Sequence, residues 1–404
     1  MRGKSNFKFI DRWIGIPLVW FLGLFAKKGT SSASALSEGD HVLVVKLSAL
    51  GDTLLLLPVF KAVKAKVGAK GRVVAIATPI NQGVLEKNLS IDQLFILDFG
   101  KFIRNPGEFF KFLGQLKAEK VRVALDFDQW LRVSPLLCYL SGAAIRFGFK
   151  TPGQFRHYLY TGTTPNGKGK HEVEQFAEVA GLACIERNTI EDYSGFLKRE
   201  GLLNLSKSVP KANGKKPLVH FHPGCGSYGW QRAWPLEYYV ALAIKLKKEL
   251  GASIRLTGMG AYEEDLVEKI QALAGFEMEN RCGQLELPEL AALVDQADLV
   301  VCGNTGIMHI AAGLGKAMVV PNGPANPIKW GPAASYGFIE MKAPNLVTAI
   351  GVKKANIRVI QASLPCSPCT TLGYEYGCPI RPCMESIGVD IVYRECLNLL
   401  KMAS

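Results

Sequence analysis

The feature that most constrains this chain is an alternation of short apolar runs with helix-length stretches, which begins near residue 41, breaks off, and resumes near residue 218. Residues 41–47 (HVLVVKL) are apolar at nearly every position rather than at every second one, the pattern of a parallel strand covered on both faces. A helical stretch over 53–66 follows, then apolar runs at 72–78, 94–97 and 121–127, with helical stretches at 107–117 and 130–140. Such alternation implies a parallel sheet with crossover helices. The stretch 205–216 (LSKSVPKANGKK) is polar, contains Pro and Gly, and reads as a linker. Beyond it come strands at 218–222, 253–257, 299–302 and 317–320, and helices at 235–250, 262–274, 287–295 and 306–314. A length of 404 residues suits two domains with separate cores better than one. The expected fold class is α/β, with two Rossmann-like domains (38–205 and 206–350) facing each other across a cleft. A Cys-rich segment, 351–404, is expected to pack back on the first of them.

The segment 1–37 is of another kind. Residues 1–35 carry six basic residues (Arg2, Lys4, Lys8, Arg12, Lys27, Lys28) and one acid, Asp11. Between them runs 14–26 (IGIPLVWFLGLFA), which as a helix would measure about 20 Å against a hydrocarbon core of roughly 30 Å. A signal peptide shares the basic start and apolar core, but it needs small neutral residues where this chain has Lys27 and Lys28. The pattern fits an amphipathic helix lying in a membrane interface, with Trp13 and Trp20 near the headgroups and the basic residues toward anionic lipid. The alternative is a hydrophobic helix packed on the protein's own body. The net charge of +13 divides into +10 over 1–205 (28 basic, 18 acidic) and +3 over the rest (20 basic, 17 acidic). An anionic partner is therefore expected at the first half, a membrane surface or a phosphorylated glycolipid. The basic residues lack the aromatic interleaving of a nucleic-acid groove, so no nucleic acid is expected.

Ligands of such sheets sit beyond the carboxyl ends of the strands, so the loops there carry the chemistry. In the first, 47–53 (LSALGDT), Gly51 permits a close approach, Ser48 lies beside it, and Asp52 reads either as a helix N-cap or as a general base. In the second, 222–227 (HPGCGS), Gly224 and Ser227 belong to a loop whose backbone N–H groups suit a phosphate. Arg232 follows as a forked cation for a diphosphate, or as a solvent-facing loop residue. The third, 303–309 (GNTGIMH), brings Asn304, Thr305 and Gly306 to a helix start, with His309 one turn in; a lone helical His is ordinarily structural. Glu263 lies behind a single GxG and suits a ribose contact. No GxGxxG follows the first strand, which argues against an NAD-dependent oxidoreductase, the rival enzyme class.

Taken in order, the pieces 44–64 (VVKLSALGDTLLLLPVFKAVK), 222–243 (HPGCGSYGWQRAWPLEYYVALA) and 301–332 (VCGNTGIMHIAAGLGKAMVVPNGPANPIKWGP) resemble the signatures of glycosyltransferase family 9, the heptosyltransferases. Residues 125–149 (LDFDQWLRVSPLLCYLSGAAIRFGF) resemble the family's fourth-strand region. The resemblance runs from about 41 to 332. It implies a GT-B fold, an N-terminal acceptor domain, a C-terminal domain for ADP-heptose, and inverting transfer without metal or cofactor. The implied acceptor is the lipopolysaccharide core or a related anionic glycolipid, met at the cytoplasmic face of the inner membrane by a peripherally associated enzyme. By position Asp52 matches the family's general base, and Arg232 stands where the family usually has Lys beside the donor diphosphate. Thr305, Gly306 and His309 fall in its Asp-Thr-Gly-x-x-His motif, whose first Asp is Asn304 here. The donor set is then Gly224, Ser227, Arg232, Glu263, Asn304, Thr305, Gly306 and His309, and the acceptor set Ser48, Gly51 and Arg132. Asn304 and the Lys-to-Arg departure also motivate an alternative, a non-catalytic membrane-associated protein that keeps a glycosyltransferase body.

Six of the ten cysteines (Cys138, Cys184, Cys225, Cys282, Cys302, Cys396) are scattered and read as small hydrophobes. The other four form Cys366-x2-Cys369-x8-Cys378-x4-Cys383, open to three readings. These are a structural zinc site, free thiols, or two disulfides, the last disfavoured in a reducing cytoplasm. No catalytic metal is expected.

Overall fold

The run HVLVV forms β1 (His41–Val45), buried at four of its five positions because it pairs on both sides. Its neighbours are β2 (Arg72–Ala77) and β4 (Val123–Asp126), both parallel to it. β3 (Gln93–Ile96), half-buried throughout, forms one edge, and β5 (Ile145–Lys150) and β6 (Gly162–Pro165) complete the other side. This parallel sheet has the order β3-β2-β1-β4-β5-β6, which reverses direction between β1 and β4. That reversal is the switch point at which doubly wound sheets take ligands. The helix leaving β1, Leu50–Val67, is buried at every position from Thr53 to Phe60, which accounts for its unbroken leucine run.

The chain is described by a computed structural model over all residues except 1–4, 27–35, 168, 202–215, 227–228, 334–338, 344–345, 350–355, 371–377, 379 and 404. Two compact units result, Met1–Glu191 and Asp192–Ser404. In the first, the N-terminal segment forms two helices, Ser5–Trp13 and Gly15–Gly23, where one was expected. Val19 and Ala26 pack with Leu159, and Leu22, Leu136, Tyr139 and Tyr158 close around them, so one face rests on the body of the unit.

The second unit begins with β7 (Leu218–His222), flanked by β8 (Ser253–Leu256) and β10 (Leu299–Cys302). β9 (Glu279–Asn280) lies beyond β8, and β11 (Met318–Asn322) beyond β10. β14 (Ile357–Gln361) joins β11 in parallel, and β12 (Ile339–Ala343) and β13 (Leu346–Ala349) add an antiparallel edge. The order β12-β13-β14-β11-β10-β7-β8-β9 reverses between β7 and β10. Helix Leu236–Leu250 starts after Pro235 and stops at Gly251, whose left-handed φ of +64° lets its N–H reach the carbonyl of Lys247.

Two boundaries differ from the sequence expectation. The second unit begins at Asp192, ahead of the expected linker at 205–216, nearly all of which lies outside the described residues. Apolar burial draws the chain in early: Tyr193, Phe196 and Leu197 are buried, and the Tyr193 hydroxyl donates to the carbonyl of His309 at 3.0 Å. The C-terminal segment, expected on the first domain, packs on the second unit instead. The helix Val389–Ala403 buries Val392, Cys396 and Leu399 in one core with Leu242, Leu246 and Val319. Trp234 Nε1 donates to the carbonyl of Ile387 at 2.8 Å, which ties the preceding turn to the same core.

Candidate active site

At the switch point of the first sheet, β1 runs on into Lys46, Leu47 and Ser48 before its helix begins. Ala49, at φ +64°, takes the cap position, so Asp52 is the third helical residue and not the N-cap. Lys46 is the residue that organises this end. Its ammonium lies 3.5 Å from Asp52 Oδ2 and 4.0 Å from Asp128 Oδ1, with side-chain exposures of 3% for Lys46, 14% for Asp52 and 1% for Asp128. A buried ammonium survives only with such partners. Asp128 also accepts from the Leu47 backbone N–H at 2.5 Å and from the Ser48 hydroxyl at 2.7 Å, which joins the loops after β1 and β4. Behind them Arg156 forms a fully buried pair with Asp126 at 2.8 Å, and Tyr160 donates to the same carboxylate. Burial pushes the Asp126 carboxyl up, against the opposing pull of Arg156. Of these carboxylates Asp52 is the most exposed to water.

In the second unit three loops meet beyond β7, β8 and β10. Glu263 staples the first two, accepting from the Gly226 N–H and the Met259 N–H, each at 2.7 Å. Gly224 allows this, since a Cβ there would come within 2.2 Å of the Glu263 carboxyl. Arg232 ends a short helical turn, Trp230–Arg232, and donates from Nη1 to the Asn304 carbonyl at 3.0 Å and from Nη2 to the Cys225 carbonyl at 3.5 Å. Its Nε is buried without a hydrogen-bond partner. Two residues past that Asn304 carbonyl starts the helix Gly306–Gly313, and Thr305 in its cap position gives no side-chain cap. An unsatisfied guanidinium N–H beside an uncapped helix start is a place for an anion. Burial holds His220 well below its ordinary value and His222 below it, and both rings share the Thr257 hydroxyl. Burial pushes the Cys225 thiol up to about 11, so it is no nucleophile at neutral pH.

The structure thus brings Gly224, Arg232, Glu263, Asn304, Thr305 and Gly306 to one end of the second sheet, and Ser48, Gly51 and Asp52 to one end of the first. Ser227 lies outside the described residues. His309 is buried one turn into its helix. Glu263 is committed to the two loop amides, and Ser48 to Asp128. Asn304 donates from Nδ2 to the Trp330 carbonyl at 3.0 Å, a bond that the family's Asp could not make. Arg132 does not present a free cation to an acceptor. It is buried, its Nη1 lies 2.7 Å from Asp11 Oδ2, and its Nε donates to the Gln154 carbonyl at 3.2 Å. Sequence reasoning missed Lys46 and Asp128. A Lys closing one apolar strand and acids closing another need each other once both strands are buried, but only the pairing of β1 with β4 brings them together. The four clustered cysteines are free thiols, three exposed and Cys383 buried, and among the described residues no three His, Cys, Asp or Glu side chains gather as a metal site.

Two Rossmann-like units, each with its loops gathered at a switch point, define the class: an α/β protein of the GT-B kind with an anion-ready second unit. The family model for glycosyltransferase family 9 (heptosyltransferase) matches residues 109–343, and the chain belongs to that family. This membership sets aside the oxidoreductase alternative. Lipopolysaccharide heptosyltransferase 2 of Salmonella typhimurium is 30% identical over 132 residues, which are 32% of this chain and 37% of that protein. The matched part thus spans little more than a third of that relative. Among solved structures, a family 9 glycosyl transferase from Veillonella parvula superposes with a TM-score of 0.69 at 17% identity, over 91% of this chain and 99% of that one. The Escherichia coli heptosyltransferase WaaC with ADP gives 0.65 at 17%, over 89% and 99%.

Proposed function

We propose that this chain is an inverting glycosyltransferase that moves a heptose, or a related sugar, from an ADP-sugar to the lipopolysaccharide core or a related anionic glycolipid, without a metal. The observation that carries the reading is the unsatisfied Arg232 Nε beside the uncapped start of the helix Gly306–Gly313. These groups would hold the donor diphosphate and take up the charge that develops on it as the glycosidic bond breaks, the part a metal plays elsewhere. Asp52 would accept the proton of the attacking acceptor hydroxyl. Lys46 would keep that carboxylate in place, and Asp128 would hold the loop that carries it. The oxygen of the acceptor displaces ADP at the anomeric carbon in one step, which inverts that centre. Support for an ADP donor comes from the relative solved with ADP. No described helix is long and apolar enough to cross a membrane, and the enzyme would meet its lipid acceptor as a peripheral protein on the cytoplasmic side of the inner membrane. Incubation with ADP-heptose and core-bearing lipid tests the whole reading. ADP release that requires both substrates supports it, and no release from any heptose donor with any core acceptor refutes it.

A further inference from the structure

The helix Gly15–Gly23 is apolar on both sides. Inward, Gly15, Val19 and Gly23 are buried, and the glycines set a close approach: a Cβ on Gly23 would lie 2.8 Å from Tyr158, and one on Gly15 3.0 Å from Arg132. Outward, Leu18, Trp20, Phe21, Leu24 and Phe25 are exposed, and the preceding helix and turn add Phe9, Ile10, Trp13 and Ile14. A helix apolar all round is ordinarily covered, and a large exposed apolar patch marks a surface that something else covers.

Charge and aromatic content say what that is. Asp11, the one acid in residues 1–35, is turned inward: its two oxygens bond the Arg132 N–H at 2.8 Å and Arg132 Nη1 at 2.7 Å. Every other charge in the segment is positive. Trp13 and Trp20, 63% and 52% exposed, are the amphipathic rings that bilayer headgroup layers accommodate. Nine residues of helix reach only about 14 Å, so the segment lies along a bilayer rather than through it. A second element packs against this helix, the loop that leads into Tyr158. Phe155 is exposed although its backbone sits at φ +58°, a strained setting for a bulky residue, and its ring stacks on Tyr158 with centroids 6.4 Å apart. The residue before it, Gln154, accepts from Arg132 Nε. One buried guanidinium thus grips the first helix and the Phe155 loop together, from the end of the same loop in which Asp128 holds Ser48.

We infer that Arg132, clamped by Asp11, fixes the two N-terminal helices and the Phe155 loop as one plate that lies in the interfacial layer of an anionic bilayer. This rests on the membrane reading above and deepens it: the plate is a rigid part of the first unit, so the bilayer sets the orientation of the loops that carry Asp52 and Asp128. Arg132 is a positioning residue. The test uses the full chain with vesicles of phosphatidylethanolamine and phosphatidylglycerol carrying brominated acyl chains. The wild type floats with the vesicles and its tryptophan fluorescence is quenched. Trp13→Phe/Trp20→Phe still floats but loses most of the quenching, and Phe21→Glu/Leu24→Glu no longer floats. Asp11→Asn, which releases the first helix from Arg132, floats at least several-fold less at equal lipid. A wild type that stays unfloated, quenching that the double Trp variant retains, or Asp11→Asn floating like wild type overturns the plate. So does a dimer in sedimentation that Phe21→Glu dissolves while flotation is absent, since a second copy would then cover the face. Neither readout involves sugar transfer, so the plate and the transferase reading fail separately.

Discussion

Lys46 is the residue on which the first half of the site turns. Its ammonium is almost wholly buried between Asp52 and Asp128, and removal of one partner from such a group leaves the others uncompensated. Lys46→Met should therefore lower stability by about 3 kcal/mol. Lys46→Met/Asp128→Asn should recover part of that, because a neutral amide no longer needs the ammonium. Thermal melts of the two variants decide this; a Lys46→Met protein that melts with wild type would show that the cluster is held by something else. The motif made Asp52 and Arg232 legible in sequence, because a carboxylate after the first strand and a cation after a Gly-rich loop occupy fixed places in such sheets. Lys46 and Asp128 were illegible for a physical reason: they are joined across 82 positions by the pairing of β1 with β4, which no local pattern records. Arg132 was read by its charge alone. Its partner Asp11 is 121 residues away, a pairing that no local pattern records.

Among the elements, β7 carries a testable consequence of its own. His220 and His222 both lie on it, both are buried, and both are held below the ordinary histidine value by that burial. Unfolding exposes them to water, where they bind protons below pH about 6.5. The unfolded chain then binds more protons than the folded one, so stability is complete above that pH and falls as the pH drops below it. Between its unfolded and its lower folded value each histidine contributes at most about 1.4 kcal/mol per pH unit to that loss. The melting temperature should drop between pH 7 and 5.5, and His220→Asn should flatten part of the slope. An unchanged slope in that variant would mean that other groups set the acid limit. The elements that sequence made plain are those buried on both faces, such as β1, β10 and the helix Leu50–Val67. β5 and β6 were not anticipated: Arg146 and Gly148 interrupt the apolar Ile145, Phe147 and Phe149, and Gly162–Pro165 (GTTP) holds no apolar run. Val389–Ala403 is strongly two-sided, yet its sequence carries no mark of which unit covers its apolar face.

Across the whole molecule the chemistry is divided. The groups suited to a diphosphate lie in the unit from Asp192 onward, and the carboxylate suited to take a proton lies in the unit before it. Loss of that carboxylate should therefore leave nucleotide binding alone and remove the chemical step. The most direct test is Asp52→Ala, with turnover of ADP-heptose onto core-bearing lipid and calorimetric ADP affinity measured on the same preparation. In this variant kcat should fall by about 100-fold or more while the ADP Kd stays within about twofold of wild type. Wild-type kcat in that variant would contradict this, and would leave Asp52 as no more than the counter-ion of Lys46.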